Sequence, residues 1–272
     1  MTPAHVDATA LARNIRAGAL RMVAAAKASH IGTCLSMADI LAVLYADVLR
    51  YDAENPDWPE RDRFILSKGH GAAILYAVLA ESGFFDVDLL GEYCADGSSL
   101  MGHASHKVPG VEVSTGSLGH GLTIGTGIAL AGKRGGHDYR TFVLTGDGEL
   151  DEGSNWEAML FAATHELDRL VLVIDRNGLQ GFGESEAVLR LEPLGGKLEA
   201  FGWAVAHVNG HDVDALRAAL SADARFPGKP LAVIADTVKG KGVSYMEGKL
   251  EWHYRSPNPE QLAAALAELG VS

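Results

Sequence analysis

The chain has 272 residues, 47% of them apolar and 21% charged, and its 35 acidic and 23 basic side chains leave a net charge of −12. That apolar content excludes a disordered or low-complexity chain, and the length allows one large domain or two small ones around a buried core. The acidic balance argues against nucleic acid as a partner, and Leu170–Ile174, typical of the longest apolar runs, is far too short to cross a bilayer.

Two cysteines, Cys34 and Cys94, are too few for a disulfide framework, and the N-terminus lacks the pattern of a secretory leader. Reduced thiols and a cytoplasmic location are the expectation.

The first third reads as helices. Leu11, Ile15, Ala19, Met22 and Val23 recur at helical spacing, and Ser36 with Asp39 reads as a capping box before Ile40–Leu44. A further helix is predicted over His70–Glu81, striped by Ile74, Leu75, Val78 and Leu79 and stopped by Gly83. Residues 91–120 are rich in Gly, Ser and His without periodicity, as in a long functional loop.

From residue 141 strands and helices alternate. Strands are predicted at Thr141–Thr145, Leu170–Asp175, Trp203–Val208 and Leu231–Asp236, and helices at Glu152–Leu167, Val213–Ala222 and Pro259–Leu269. On the first of these helices Trp156, Met159, Leu160, Ala163 and Leu167 share a face. The fold class is therefore α/β, a parallel sheet flanked by helices, with no linker dividing the chain.

Ligands in such folds bind beyond the carboxyl ends of the strands. The four predicted strands are followed by Gly146-Asp147-Gly148-Glu149, Asp175-Arg176-Asn177-Gly178-Leu179-Gln180, Asn209-Gly210-His211-Asp212 and Lys239-Gly240-Lys241-Gly242. Asp147 and Asn177 lie 30 residues apart, one strand-helix-strand crossover, which sets a carboxylate and an amide oxygen at adjacent strand ends. That pair suits a hard divalent cation such as Mg2+, completed by water and phosphate oxygens. Gly146 and Gly148 let the backbone approach a diphosphate, and the helix start near Glu152 adds a positive dipole end. A protein this acidic needs the metal and local cations to hold a diphosphate.

Gly-Asp-Gly followed by an Asn at the next strand end resembles the thiamine diphosphate signature. Arg61-Asp62-Arg63-Phe64-Ile65-Leu66-Ser67-Lys68-Gly69-His70, Met101-Gly102-His103, Gly116-Ser117-Leu118-Gly119-His120-Gly121, Glu149-Leu150-Asp151-Glu152-Gly153 and Glu251-Trp252-His253 resemble transketolase, in family order and across nearly the whole chain. The resemblance implies that Asp147, Asn177 and the carbonyl of Leu179 bind Mg2+. It implies that Gly148, Asn177, His70 and Lys239 surround the diphosphate, that His253 also binds the cofactor, and that Gly116, Ser117 and Leu118 hold the aminopyrimidine. His30, His103 and His253 match the histidines that line the substrate channel and assist proton transfer, and Thr33 matches a small hydroxyl residue near the cofactor. Histidine suits proton handling on sugar hydroxyls near neutral pH.

His120, where many relatives have Gln, and Ile31, where many have Pro, depart from the pattern. His5, His137, His165 and His207 read as structural, and His106, His120 and His211 stay undecided. Lys68 and Lys241 read as ordinary surface lysines, with Lys239 the candidate phosphate contact.

The resemblance also implies that residues 1–272 form a single diphosphate-binding domain, with the pyrimidine-binding and C-terminal domains absent from this chain. The expected partner is a separate C-terminal transketolase subunit, in a two-plus-two heterotetramer acting on sugar phosphates. The alpha subunit of a 2-oxoacid or acetoin dehydrogenase and a split transketolase specialised for a branched or sulfonated sugar are the alternatives. A non-catalytic assembly role is disfavoured by the intact candidate ligands. A dinucleotide fingerprint at Gly119-His120-Gly121, with Asp138 following, has its third glycine misplaced.

Overall fold

The computed structural model describes residues 7–224 and 226–271. His5 lies outside them. In chain order the elements are α1 (Ala8–Ala26), α2 (Ile31–Ser36), α3 (Ala38–Val43), β1 (Arg63–Leu66), α4 (Ala72–Glu81), α5 (His120–Gly135), β2 (Thr141–Gly146), α6 (Gly153–Thr164), β3 (Leu170–Arg176), β4 (Leu179–Gln180), β5 (Gly183–Glu184), α7 (Ser185–Val188), α8 (Leu194–Ala200), β6 (Ala204–Asn209), α9 (Val213–Leu220), β7 (Leu231–Asp236) and α10 (Pro259–Glu268).

Five strands form one parallel sheet in the order β1-β2-β3-β7-β6, and β4 with β5 makes a small antiparallel hairpin. Successive strand residues point to opposite faces, and both faces are covered. Phe142, Leu144, Val171, Val173 and Val233 pack beneath α1, α3, α4 and α9. Val143, Leu170, Leu172, Ile174 and Ile234 pack against α5, α6 and α8. The near-continuous apolar runs of β2, β3 and β7 follow from this double burial.

Four sequence expectations change. The first third is not all helix, because Arg63–Leu66 is the edge strand β1, paired with β2 from Arg63↔Thr141 to Leu66↔Leu144. Four residues are too few for a pattern that separates strand from helix. Ser36 and Asp39 make no capping box. Ser36 ends α2 and donates to the carbonyl of Thr33 and to Asp175, while Asp39 binds Arg16 and His211. The helix α6 ends at Thr164, and Leu160 is 51% exposed, so its buried face is Asn155, Ala158, Met159 and Ala162. On α4 every residue from Ala72 to Ala80 is buried, because α1, α2 and α3 pack around it, and the apolar stripe is only part of a helix buried all round.

The stop at Gly83 stands, since it adopts φ +85° and donates to the carbonyl of Ala80. The capping box that does form is at α10, between Asn258 and Gln261. Cys34 is buried and Cys94 exposed, both free thiols. Among the described residues no helix is long and apolar enough to cross a membrane.

Candidate active site

Four parallel strands end on one side of the sheet and open into a cavity of about 300 Å³. Beyond β1 come Lys68 and His70, beyond β2 Asp147 and Gly148, beyond β3 Asn177, and beyond β7 Lys239, all lining it. His30 and Thr33 reach it from α2 and the turn before, His103, Gly116 and Leu118 from the long loop, Leu179 from β4, and His253 from the turn before α10. Ser117 is the one expected residue off the cavity wall. It is exposed, and its carbonyl lies 3.2 Å from His120 Nδ1. The β6 ending contributes nothing to the wall, because β6 is the far edge strand.

Two groups of residues with different chemistry line the cavity. In the first, Asp147 Oδ1 accepts from the Gly148 N–H at 2.9 Å, and Oδ2 accepts from the Gly178 N–H at 2.7 Å and the Ser185 hydroxyl at 3.0 Å. Asn177 Oδ1 accepts from the Leu179 N–H at 3.1 Å, and the Leu179 carbonyl accepts from Lys239 Nζ at 2.8 Å. Asp147 Oδ1, Asn177 Oδ1 and the Leu179 oxygen thus each accept one hydrogen bond and keep a lone pair. Burial, and then the Asp175 carboxylate, push the Asp147 carboxyl above its ordinary range. A carboxylate with no ion pair among the described residues, beside an amide and a carbonyl oxygen, fits a hard divalent ion, whose charge would reverse that shift.

In the second group three imidazoles cluster around that of His30. Its ring centroid lies 4.9 Å from His70, 5.0 Å from His253 and 6.2 Å from His103. His30 holds the left-handed conformation at φ +73°, and its N–H donates to the His253 carbonyl at 3.0 Å. A non-glycine residue there is strained, and such strain collects at functional sites. Burial, then His103 and Lys239, lower the His30 pKa to about 4. Burial, then Lys239 and His30, lower that of His253 to about 3. Burial and the neighbouring cations also hold His70 well below the ordinary value. These three rings are neutral at pH 7. Among the described residues His253 Nδ1 is buried without a hydrogen-bond partner, an atom left for a bound group to satisfy.

Lys68 is not a surface lysine. It is 1% exposed, donates to Thr33 Oγ1 at 2.9 Å, and forms a buried ion pair with Asp175. Burial opposes the charge of Asp175, but Lys68, with the hydroxyls of Ser36 and Thr237, holds its carboxyl below the usual range. The apolar Phe64-Ile65-Leu66 ahead of Lys68 was the available signal, since it marks a strand end. Lys239 is buried too, and burial with the nearby Lys68 lowers its pKa to about 8. Lys241 pairs with Glu247.

Glu149 braces the strand ends, accepting from Ser67 just past β1, from the Gly119 N–H at 3.0 Å and from the Gly146 N–H at 3.3 Å. Gln180, from the predicted β3 ending, also lines the cavity, as do Phe182 and Tyr254, which carried no sequence signal. The dinucleotide reading loses its context, because residues 93–119 before Gly119-His120-Gly121 contain no strand. His106 binds Ser114, His137 binds Glu60 and His207 pairs with Asp236, all away from the cavity, while His165 packs against Phe161 with the two rings tilted by 46°.

The family model described as transketolase, thiamine diphosphate binding domain, matches residues 7–272. The chain is 46% identical over 241 residues to one of the subunits of the apulose-4-phosphate transketolase of Actinobacillus succinogenes, covering 88% of this chain and 87% of that one. It is 39% identical over 270 residues to the SqwG subunit of the 6-deoxy-6-sulfo-D-fructose transketolase of a Clostridium species, covering 99% and 98%. Among solved structures, a transketolase from Leishmania mexicana superposes with a TM-score of 0.92 at 34% identity, covering 99% of this chain and 42% of its own. The chain therefore spans about two fifths of the length of that solved transketolase.

Proposed function

The chain belongs to the transketolase family, a family of transferases, and on that premise we propose that it is the diphosphate-binding subunit of a two-chain transketolase. It holds thiamine diphosphate with Mg2+ and, together with a separate pyrimidine-binding subunit, moves a two-carbon ketol unit from a ketose phosphate to an aldose phosphate. The observation that carries this reading is the meeting of three spare oxygen ligands and four histidine rings in one cavity. Relatives matched over nearly their whole length are themselves named as single subunits, which supports the separate partner. In this reading residues 1–272 are one diphosphate-binding domain and the protein works in the cytoplasm.

Thiamine diphosphate, when bound, supplies the carbanion chemistry and the electron sink. This chain supplies position and proton handling. Asp147, Asn177 and Leu179 would hold the metal, and Gly148, Asn177, His70 and Lys239 the diphosphate. Thr33, Gly116, Ser117 and Leu118 would border the rest of the cofactor. His30, His103 and His253 would take the sugar hydroxyls. A neutral imidazole donates from one nitrogen and accepts at the other, so His30 and His253 can each accept a hydrogen bond from a sugar hydroxyl and donate one in return.

A sugar other than the common ketose phosphates is a second reading, favoured by the apulose-4-phosphate and 6-deoxy-6-sulfo-D-fructose named for two relatives. Calorimetry with thiamine diphosphate and Mg2+, on the chain alone and mixed with its partner, tests the proposal. Weak binding alone that becomes tight with the partner supports it. Tight binding with turnover by the chain alone overturns the divided site, and no binding in either case overturns the cofactor reading. Ketose donors assayed against pyruvate and acetoin separate it from a 2-oxoacid dehydrogenase subunit.

A further inference from the structure

The strand pair β6–β7 runs out just where Lys239 must be aimed. Its register ends at Asn209↔Asp236, and the last backbone bond between the two segments is Gly210 N–H to the Asp236 carbonyl at 2.7 Å. Past that point the chain carrying Lys239 is held residue by residue. Thr237 N–H donates to Arg176 at 3.1 Å and Gly240 N–H to Gly32 at 2.9 Å. Val238 N–H donates to a side chain, His211 Nε2, at 2.8 Å.

An amide N–H only donates, so Nε2 must present its lone pair, and the ring proton belongs on Nδ1. There Asp39 Oδ2 receives it at 2.7 Å. Asp39 is itself held by Arg16 of α1, with 3.0 Å from Nη1 to Oδ1, and both Asp39 and His211 side chains are largely buried. The chain of contacts Arg16–Asp39–His211–Val238 therefore ties two helices of the opposite layer to the backbone next to Lys239. A ring nitrogen fixed by a carboxylate on its far side is a recurring way to orient an imidazole.

We propose that His211 is a positioning residue, which through Val238 holds Lys239 in the cavity against the Leu179 carbonyl. Its consequence for ligand binding rests on the reading of the cavity as a diphosphate site.

The ring and the binding are tested separately. Ring-nitrogen NMR of the 15N-histidine-labelled full chain, with His211 assigned by its loss in His211→Gln, should show the proton on Nδ1 and a bare Nε2. The reverse tautomer overturns the anchorage. Calorimetry then compares thiamine diphosphate with Mg2+ on the complex with the partner subunit, for wild type, His211→Leu, His211→Gln, Lys239→Met and the double variant of Leu and Met. His211→Leu should weaken binding about tenfold, the worth of one lost hydrogen bond. His211→Gln, which keeps an oxygen acceptor for Val238, should recover most of it. In the Lys239→Met background His211→Leu should add no further loss. Equal losses in both backgrounds, or none in either, overturn the proposal. Failure of the wild type to bind overturns the cavity reading instead, and the tautomer, which needs no ligand, tells the two failures apart.

Discussion

His30 and His253 sit edge to face at 5.0 Å, with the backbone N–H of the first bonded to the carbonyl of the second at 3.0 Å. This contact joins the start of α2 to the turn before α10, and burial, with Lys239 near both rings, keeps them uncharged. In the unfolded chain each has the ordinary pKa of 6.5, against about 4 and about 3 in the fold. The unfolded state then binds more protons between those values, so stability is full above pH 6.5 and is lost as pH falls through 4. Melting temperatures measured from pH 7 to pH 4 should fall, and more shallowly in His30→Gln. An unchanged slope in that variant would remove His30 from the acid response.

Asp147→Ala should abolish Mg2+-dependent binding of thiamine diphosphate and leave the fold intact. Burial and Asp175 already disfavour the Asp147 charge, so the apo fold gains nothing from it, and the cost is limited to its three hydrogen bonds. Calorimetry with and without Mg2+, beside circular dichroism, makes the measurement. Unchanged affinity would refute the metal assignment.

Lys68→Met should destabilise the protein by about 3–5 kcal/mol, because it strands the fully buried Asp175 carboxylate without its cation. Adding Asp175→Asn should restore much of the loss. Urea unfolding of both variants reads this directly, and a loss below about 1 kcal/mol, the range of an exposed pair, would mean that the ion pair carries no such role.

His103→Ala should impair use of the ketose donor far more than binding of thiamine diphosphate. The His103 ring lies on the cavity wall beside His30 and Gly116, away from Asp147 and Asn177 in sequence and element. Donor KM and kcat, set against the cofactor dissociation constant, decide the matter. The opposite pattern would move His103 to the cofactor side.

The amino-acid sequence by itself determined the alternation of strands and helices after residue 141 and the pairing of Asp147 with Asn177. Both are local: apolar periodicity marks which face a segment buries, and one crossover sets the distance between neighbouring strand ends. Only the tertiary structure decided the fate of Lys68, whose burial depends on Asp175, 107 residues away. The same holds for the gathering of His30, His70, His103 and His253, which arrive on four separate segments. Ser36, Asp39 and His211 show the limit most plainly. Each has a short-range reading as a cap or a loop residue, yet each spends its polar atoms on partners brought near by the sheet and its helices. A buried polar group must be satisfied by whatever the fold places beside it, and no window of sequence contains that partner.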